Sequence, residues 1–216
     1  MKIREILALL AIIASIPAQA VERKCLVSEI GAMIGGRGEA ASVDAAPYAH
    51  ADTVLFLSDS SQTTVNGLSL GSAIAEAYPE KSVVRTDFAF ADEITGNLST
   101  RYMDNTKPFP FPDNSFDVIV MRRGLCICHG SRVCGGFLPI SEESRQFFSE
   151  VTRVLNKKNP RAKAVLEGGY GVFPNVENAW REIGEQLEQT QGVSMEIFTS
   201  PWGGFHSIAI SPARTP

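Results

Sequence analysis

The sequence predicts a doubly wound α/β domain built on a seven-stranded, mostly parallel sheet with a C-terminal antiparallel hairpin. Three observations carry this. From residue 51 onward, short apolar runs alternate with amphipathic stretches at helical spacing, the pattern of a parallel sheet covered on both faces. The run Phe116-Asp117-Val118-Ile119-Val120-Met121 is apolar enough for a strand in the middle of such a sheet. Near the C-terminus, strand-like stretches at Val193 to Thr199 and Phe205 to Ile210 flank Pro201-Trp202-Gly203-Gly204, which reads as a hairpin turn.

The elements follow in order. Thr53-Val54-Leu55-Phe56-Leu57 reads as a buried strand leaving into the polar loop Ser58-Asp59-Ser60-Ser61. Leu70, Ile74 and Ala77 repeat at helical spacing between Leu68 and Tyr78, and Pro79 stops that helix. Ser82 to Asp87 is the second strand, residues 88–98 a short helix or loop, and Thr100 to Met103 a short third strand. Phe116 to Met121 is the fourth strand. After a long irregular stretch from Arg122 to Ile140, Ser141 is a suitable N-cap, and Glu142 and Glu143 suit the positive end of a helix dipole. Phe147, Val151, Val154 and Leu155 make one apolar face, with Lys157 and Lys158 near the negative end. Ala162 to Glu167 is the fifth strand, and residues 175–190 form a helix with Val176, Trp180, Ile183 and Leu187 on one face.

At 216 residues the chain is long enough for one domain with an ordinary core. Its 20 basic and 24 acidic residues leave a net charge of -4, which argues against a dedicated nucleic-acid binder. No apolar run reaches the roughly 20 residues of a membrane span. Residues 1–20 have the order of a secretory signal peptide: Lys2 and Arg4, an apolar stretch from Ile6 to Ile16, then Pro17-Ala18-Gln19-Ala20. Residues 21–50 read as a Gly- and Ala-rich lead-in and 51–216 as the domain. This places the protein in the periplasm or outside the cell. An exported chain with Cys25, Cys126, Cys128 and Cys134 fits two disulfides, and that compartment favours them over a zinc site built from the three clustered thiols and His129.

Lys107-Pro108-Phe109-Pro110-Phe111-Pro112-Asp113-Asn114-Ser115-Phe116-Asp117-Val118-Ile119-Val120 resembles the "LPFPDNSFDVVV" stretch of class I S-adenosylmethionine-dependent methyltransferases, in their small-molecule branch. Glu150-Val151-Thr152-Arg153-Val154-Leu155-Asn156 is similar to the same family's "EVARVLKPGG" helix end, and five strand–helix units with a final hairpin match its Rossmann-like layout. The resemblance implies S-adenosylmethionine as cofactor, with Asp87 on the ribose hydroxyls, Asp104 and Asn105 at the adenine amino group, and Met121 and Arg122 near the cofactor. Ligands of open α/β sheets sit beyond the carboxyl ends of the strands, which groups Asp59, Asp87, Asp104 and the stretch from Met121 around one crevice. The first loop departs from the family. Phe56 stands where the family has an acid, and Ser58, Ser60 and Gln62 replace glycines whose freedom lets backbone amides reach a ligand. Hydroxyl groups such as that of Ser60 can donate hydrogen bonds there instead.

Two functions follow. One is a methyltransferase acting on a small molecule, in which His129 serves as general base for an acceptor with a proton to lose. The other is an exported, non-catalytic binding protein on the same fold, with a disulfide or metal cluster at its crevice. For the export reading, N-terminal sequencing of protein from an extracytoplasmic fraction should find a mature chain starting near Val21; an intact Met1 in cytosolic protein would reject it.

Overall fold

The computed structural model describes residues 48, 50–59, 64–65, 68–87, 90–121, 142–167, 174–199 and 206–213. All of them belong to the unit Tyr48–Pro216, which is distinct from Met1–Pro47. The expected signal peptide, most of the lead-in and the Pro201–Gly204 turn lie outside the described residues.

In chain order the elements are β1 (Thr53–Leu57), β2 (Thr64–Val65), β3 (Leu68–Ser69), α1 (Leu70–Ala77), β4 (Ser82–Asp87), β5 (Glu93–Thr95), β6 (Leu98–Tyr102), β7 (Val118–Met121), α2 (Glu142–Val154), β8 (Lys163–Glu167), α3 (Pro174–Gln191), β9 (Val193–Thr199) and β10 (His206–Pro212). The main sheet runs β5-β6-β4-β1-β7-β8-β10-β9. β6, β4, β1, β7 and β8 are parallel, and β10 runs antiparallel to both β8 and β9. The expected fold is therefore present, with its apolar 118–121 run in the interior of the sheet.

Alternating side chains bury both faces of this sheet. Leu55, Leu57, Ile119, Met121, Ala164 and Leu166 form one core with Phe147 and Val151 of α2 and Trp180, Ile183 and Leu187 of α3. Val54, Phe56, Val118 and Val120 are buried on the other face. There the Phe56 ring lies against Gly71 of α1. Helices thus cover both faces, as short crossovers between parallel strands require. None of the described helices is long and apolar enough to cross a membrane.

The sheet has eight strands rather than seven. Residues 88–98, expected as a helix or loop, contain β5, which pairs antiparallel with β6 across the two-residue turn Gly96-Asn97. Gly96 has φ 60, so glycine is the residue that fits its left-handed turn position. Asn97 holds the turn from inside: its Nδ2 donates to the carbonyls of Ala75, Tyr78 and Lys81, each at 3.0 Å. One amide therefore closes the C-terminus of α1 and the start of β4 onto the β5–β6 hairpin. From β6 to β7 the chain returns without a helix among the described residues. Phe111 from that return, with Val84, Ile94, Ser99 and Arg101, lines a groove of about 480 Å³ over the β4–β6 face.

The two stretches that carry the family resemblance pack as one unit. The backbone amides of Asn114, Ser115 and Phe116 donate to the carbonyls of Arg153 and Val154 at 2.8–3.0 Å. Lys157 Nζ donates to the Thr152 carbonyl at 2.9 Å. These are carbonyls a helix end leaves without intrahelical partners. Asn114 turns the chain with φ 57, a left-handed conformation asparagine tolerates. Arg153 clamps the proline-rich segment, donating to Phe109 O, Phe111 O and the carboxylates of Asp113 and Glu150. Glu150 also accepts from Phe109 N, and the Arg153 guanidinium holds its carboxyl below the usual range.

Beneath the sheet, the buried Asp117 carboxylate gathers three segments. Its Oδ2 accepts from Asp52 N (2.9 Å), Thr53 N (3.3 Å) and Thr53 Oγ1 (3.2 Å). Its Oδ1 accepts from Asn156 Nδ2 (2.8 Å) and Asn159 Nδ2 (2.9 Å). Burial alone pushes its pKa up, but the hydrogen bonds more than reverse this and hold the carboxyl below the usual range. The unfolded chain returns to about 3.9. The stabilisation is therefore complete above about pH 4 and is lost as acid titrates the lower, folded-state group. Asp117→Asn should cost about 2–4 kcal/mol at neutral pH. Urea denaturation should show that gap narrowing by pH 3; a gap independent of pH would mean the charge does not matter.

Candidate functional site

The parallel strands β6, β4, β1 and β7 end side by side, and Asp59, Asp87, Asp104 and Asn105 stand at or just beyond three of those ends. Asp87 closes β4 and is 5% exposed. Its carbonyl accepts from Met103 N at 3.1 Å, which ties the end of β6 to that of β4. Asp59 N donates to Thr86 O at 3.0 Å and does the same for β1. The strand ends are thus stitched together through main-chain bonds.

Asp104 and Asn105 follow β6. Asp104 Oδ1 accepts from Thr106 N (2.9 Å) and Thr106 Oγ1 (2.7 Å), so this acid shapes its own turn. Asn105 reaches across β4 and donates from Nδ2 to Ser58 Oγ at 2.9 Å. Its Oδ1 is buried and accepts no hydrogen bond among the described residues. An acceptor left in that condition costs free energy that a ligand donor can recover.

Ser58 takes φ 53, the left-handed conformation, immediately after β1. This is a position where the resembled family has glycine. A serine here makes the same sharp exit from the strand, at the steric cost of its Cβ, and its hydroxyl meets Asn105.

Asp59 points inward, toward α1. It is 5% exposed, and its Oδ2 accepts from Gly71 N (3.2 Å) and lies 3.3 Å from Arg85 Nε. Arg85 also donates to Asp59 O (3.2 Å) and Ser72 Oγ (2.8 Å), and stacks 4.3 Å from the Phe90 ring centroid. Burial raises the Asp59 pKa, opposed by Ser69, Arg85 and Gly71 and reinforced by the nearby Asp87. Arg85 was not among the residues the sequence singled out, and Gly71, which follows the first loop, here lies at the start of α1. The signal was there: a cation in the middle of the Ser82–Asp87 strand calls for a buried partner.

Met121 ends β7, with its side chain in the core shared with α2 and α3. Ser60, Arg122, His129 and the four cysteines lie outside the described residues.

No protein-family model and no curated protein sequence matches the chain. It is similar in structure to the mitomycin 7-O-methyltransferase MmcR, at 12% identity and a TM-score of 0.49 over 87% of this chain and 54% of that one. It is also similar to a SAM-dependent methyltransferase from Bacteroides fragilis in complex with S-adenosyl-L-homocysteine, at 12% identity and 0.45 over 84% and 81%. A third similar structure is the 16S rRNA (adenine(1408)-N(1))-methyltransferase from Catenulisporales acidiphilia, at 13% identity and 0.46 over 80% and 90%.

The close approach of α1 to β1 makes Gly71 sensitive. A Cβ at that position would lie 2.7 Å from Asp59 Oδ2, 3.1 Å from Phe56 Cδ2 and 3.3 Å from Arg85 Cβ. Gly71→Ala should therefore destabilise the fold by about 1–3 kcal/mol through overpacking. Thermal unfolding checks this, and an unchanged midpoint would show that Asp59 moves aside freely.

Proposed function

We propose that the protein is a methyltransferase that binds S-adenosylmethionine at the ends of β6, β4 and β1 and methylates a small molecule. The observation that carries this is the unpartnered, buried Asn105 Oδ1, one strand away from the buried Asp87. Together they offer a carbonyl and a carboxylate, both acceptors, where an adenosine presents donors in its amino group and ribose hydroxyls. The residues present fit the group on these grounds, and the left-handed Ser58 makes a turn that glycine otherwise makes.

The cofactor supplies a methyl group on a positively charged sulfur, which leaves as a neutral thioether. The chain's contribution is to hold and orient. Asp87 accepts from the ribose, and Asn105 Oδ1 accepts from the adenine amino group. Asp104 keeps the Asn105 turn in place through Thr106. Arg153 and Glu150 fix the segment that follows, from Phe109 to Asp113. Catalysis of this kind rests on alignment of acceptor and methyl group, and an acceptor that carries a proton needs a base to receive it. His129 is our candidate for that base.

Calorimetric titration with S-adenosylhomocysteine tests the reading. Micromolar binding is expected, and Asp87→Ala should weaken it by about 1.5–3 kcal/mol, the scale of hydrogen bonds to a charged acceptor. Silence at millimolar ligand would leave an exported binding protein without this cofactor. Unchanged affinity in a folded Asp87→Ala chain would mean that the ribose is held elsewhere.

A further inference from the structure

We infer that the groove over the β4–β6 face is a second binding site, and that it takes a carboxylate with an unbranched apolar chain. The groove holds about 480 Å³, within the range of roughly 300–1,000 Å³ found for small-molecule sites. None of the residues proposed to hold the nucleoside lines it.

The sheet register sets out its floor. Ile94, Ser99 and Val84 stand opposite one another across β5, β6 and β4, so their side chains share one face. Val84 packs against the core shared with α2 and α3, and Phe111 is packed there too. Beyond Val84 the cover stops, and Ile94 is 73% exposed. Both walls are fixed without a ligand. Arg153 donates to the Phe111 carbonyl at 2.8 Å, and the Phe111 ring meets Phe116 edge-on with centroids 5.0 Å apart. On the other side Asn97 ties the β5–β6 turn to the end of α1. A preformed groove spares a ligand the cost of ordering its walls.

Charge decides which ligand. Arg101 lies two residues past Ser99 on the same face and stands opposite Thr86. Its recorded hydrogen bond is from Nε to Ser99 Oγ at 3.3 Å, and it pairs with no carboxylate among the described residues. The acid lining the groove, Glu80, lies 3.8 Å from Lys81 Nζ at the opposite end. Glu93 alternates onto the other face of β5 and accepts from Thr95 Oγ1. The groove therefore carries one uncompensated positive charge, held on a planar fork of donors suited to a carboxylate. From the level of Arg101 to that of Ser82 is about 13 Å along β4, at about 3.3 Å per residue. A carboxylate at Arg101 thus leaves room for an extended medium-length chain over Val84, Ile94 and Phe111.

Calorimetric titration of the unaltered full chain with octanoate, 1-octanol and acetate tests this. Octanoate should bind about tenfold more tightly than 1-octanol, the scale of a charge-assisted hydrogen bond. Acetate, which lacks the chain, should give no heat at the same concentrations. Arg101→Gln should weaken octanoate about tenfold and leave 1-octanol unchanged, while Ile94→Ser should weaken both. Equal affinity for octanoate and 1-octanol would overturn the inference. So would acetate binding as tightly as octanoate, silence toward octanoate at millimolar concentration, or undiminished octanoate binding in an Arg101→Gln chain that keeps its unfolding transition.

Discussion

The Asp117 carboxylate is the constraint on which the rest of the sheet depends. It receives donors from the entrance to β1 and from the two asparagines that lead into β8, and it stands at the entrance to β7. Three neighbouring strands therefore start at one fixed level. β4 then pairs in parallel with β1, and β6 with β4, which brings Ser58, Asp87 and Asn105 to neighbouring strand ends. A carboxylate can do this because it accepts several bonds at once, and burying it is tolerable because it accepts five.

The same logic holds the segment between β6 and β7 against α2. The Phe109–Asp113 segment cannot pair in a sheet because of its prolines. Arg153 and Glu150 give its backbone groups partners instead, and the following turn closes the end of α2. The proline-rich stretch and the helix end are far apart in sequence yet form one hydrogen-bonded unit. Neither explains itself alone, and it is understandable that both carry the resemblance.

Much of this was legible in the sequence, for reasons that can be named. Strands buried on both faces show as apolar runs, so β1, β7 and β8 were plain, and the faces of α2 and α3 declared themselves at Phe147, Val151, Ile183 and Leu187. β5 was hidden because its three residues are all exposed and show no burial pattern; only Gly96-Asn97 hinted at a hairpin. The places of Asp87, Asp104 and Asn105 followed from strand ends. The inward turn of Asp59 did not, because it depends on Arg85 and Gly71, two residues whose meeting with it is purely tertiary. Likewise, no local rule announces that a serine at 58 will accept a glycine's backbone angle.

The β5–β6 hairpin has a further consequence for how this molecule meets copies of itself. An open sheet has two outer strands with unpaired backbone groups, which invite another chain to add on. β9 is seven residues long and carries Glu196, an exposed charge, at its midpoint. β5 offers only three residues, with Glu93 beside the exposed Ile94. Such a short ledge gives an incoming strand too few rungs to hold. By ending the sheet in a stub instead of in the longer β6, the chain shields β6 from intermolecular pairing.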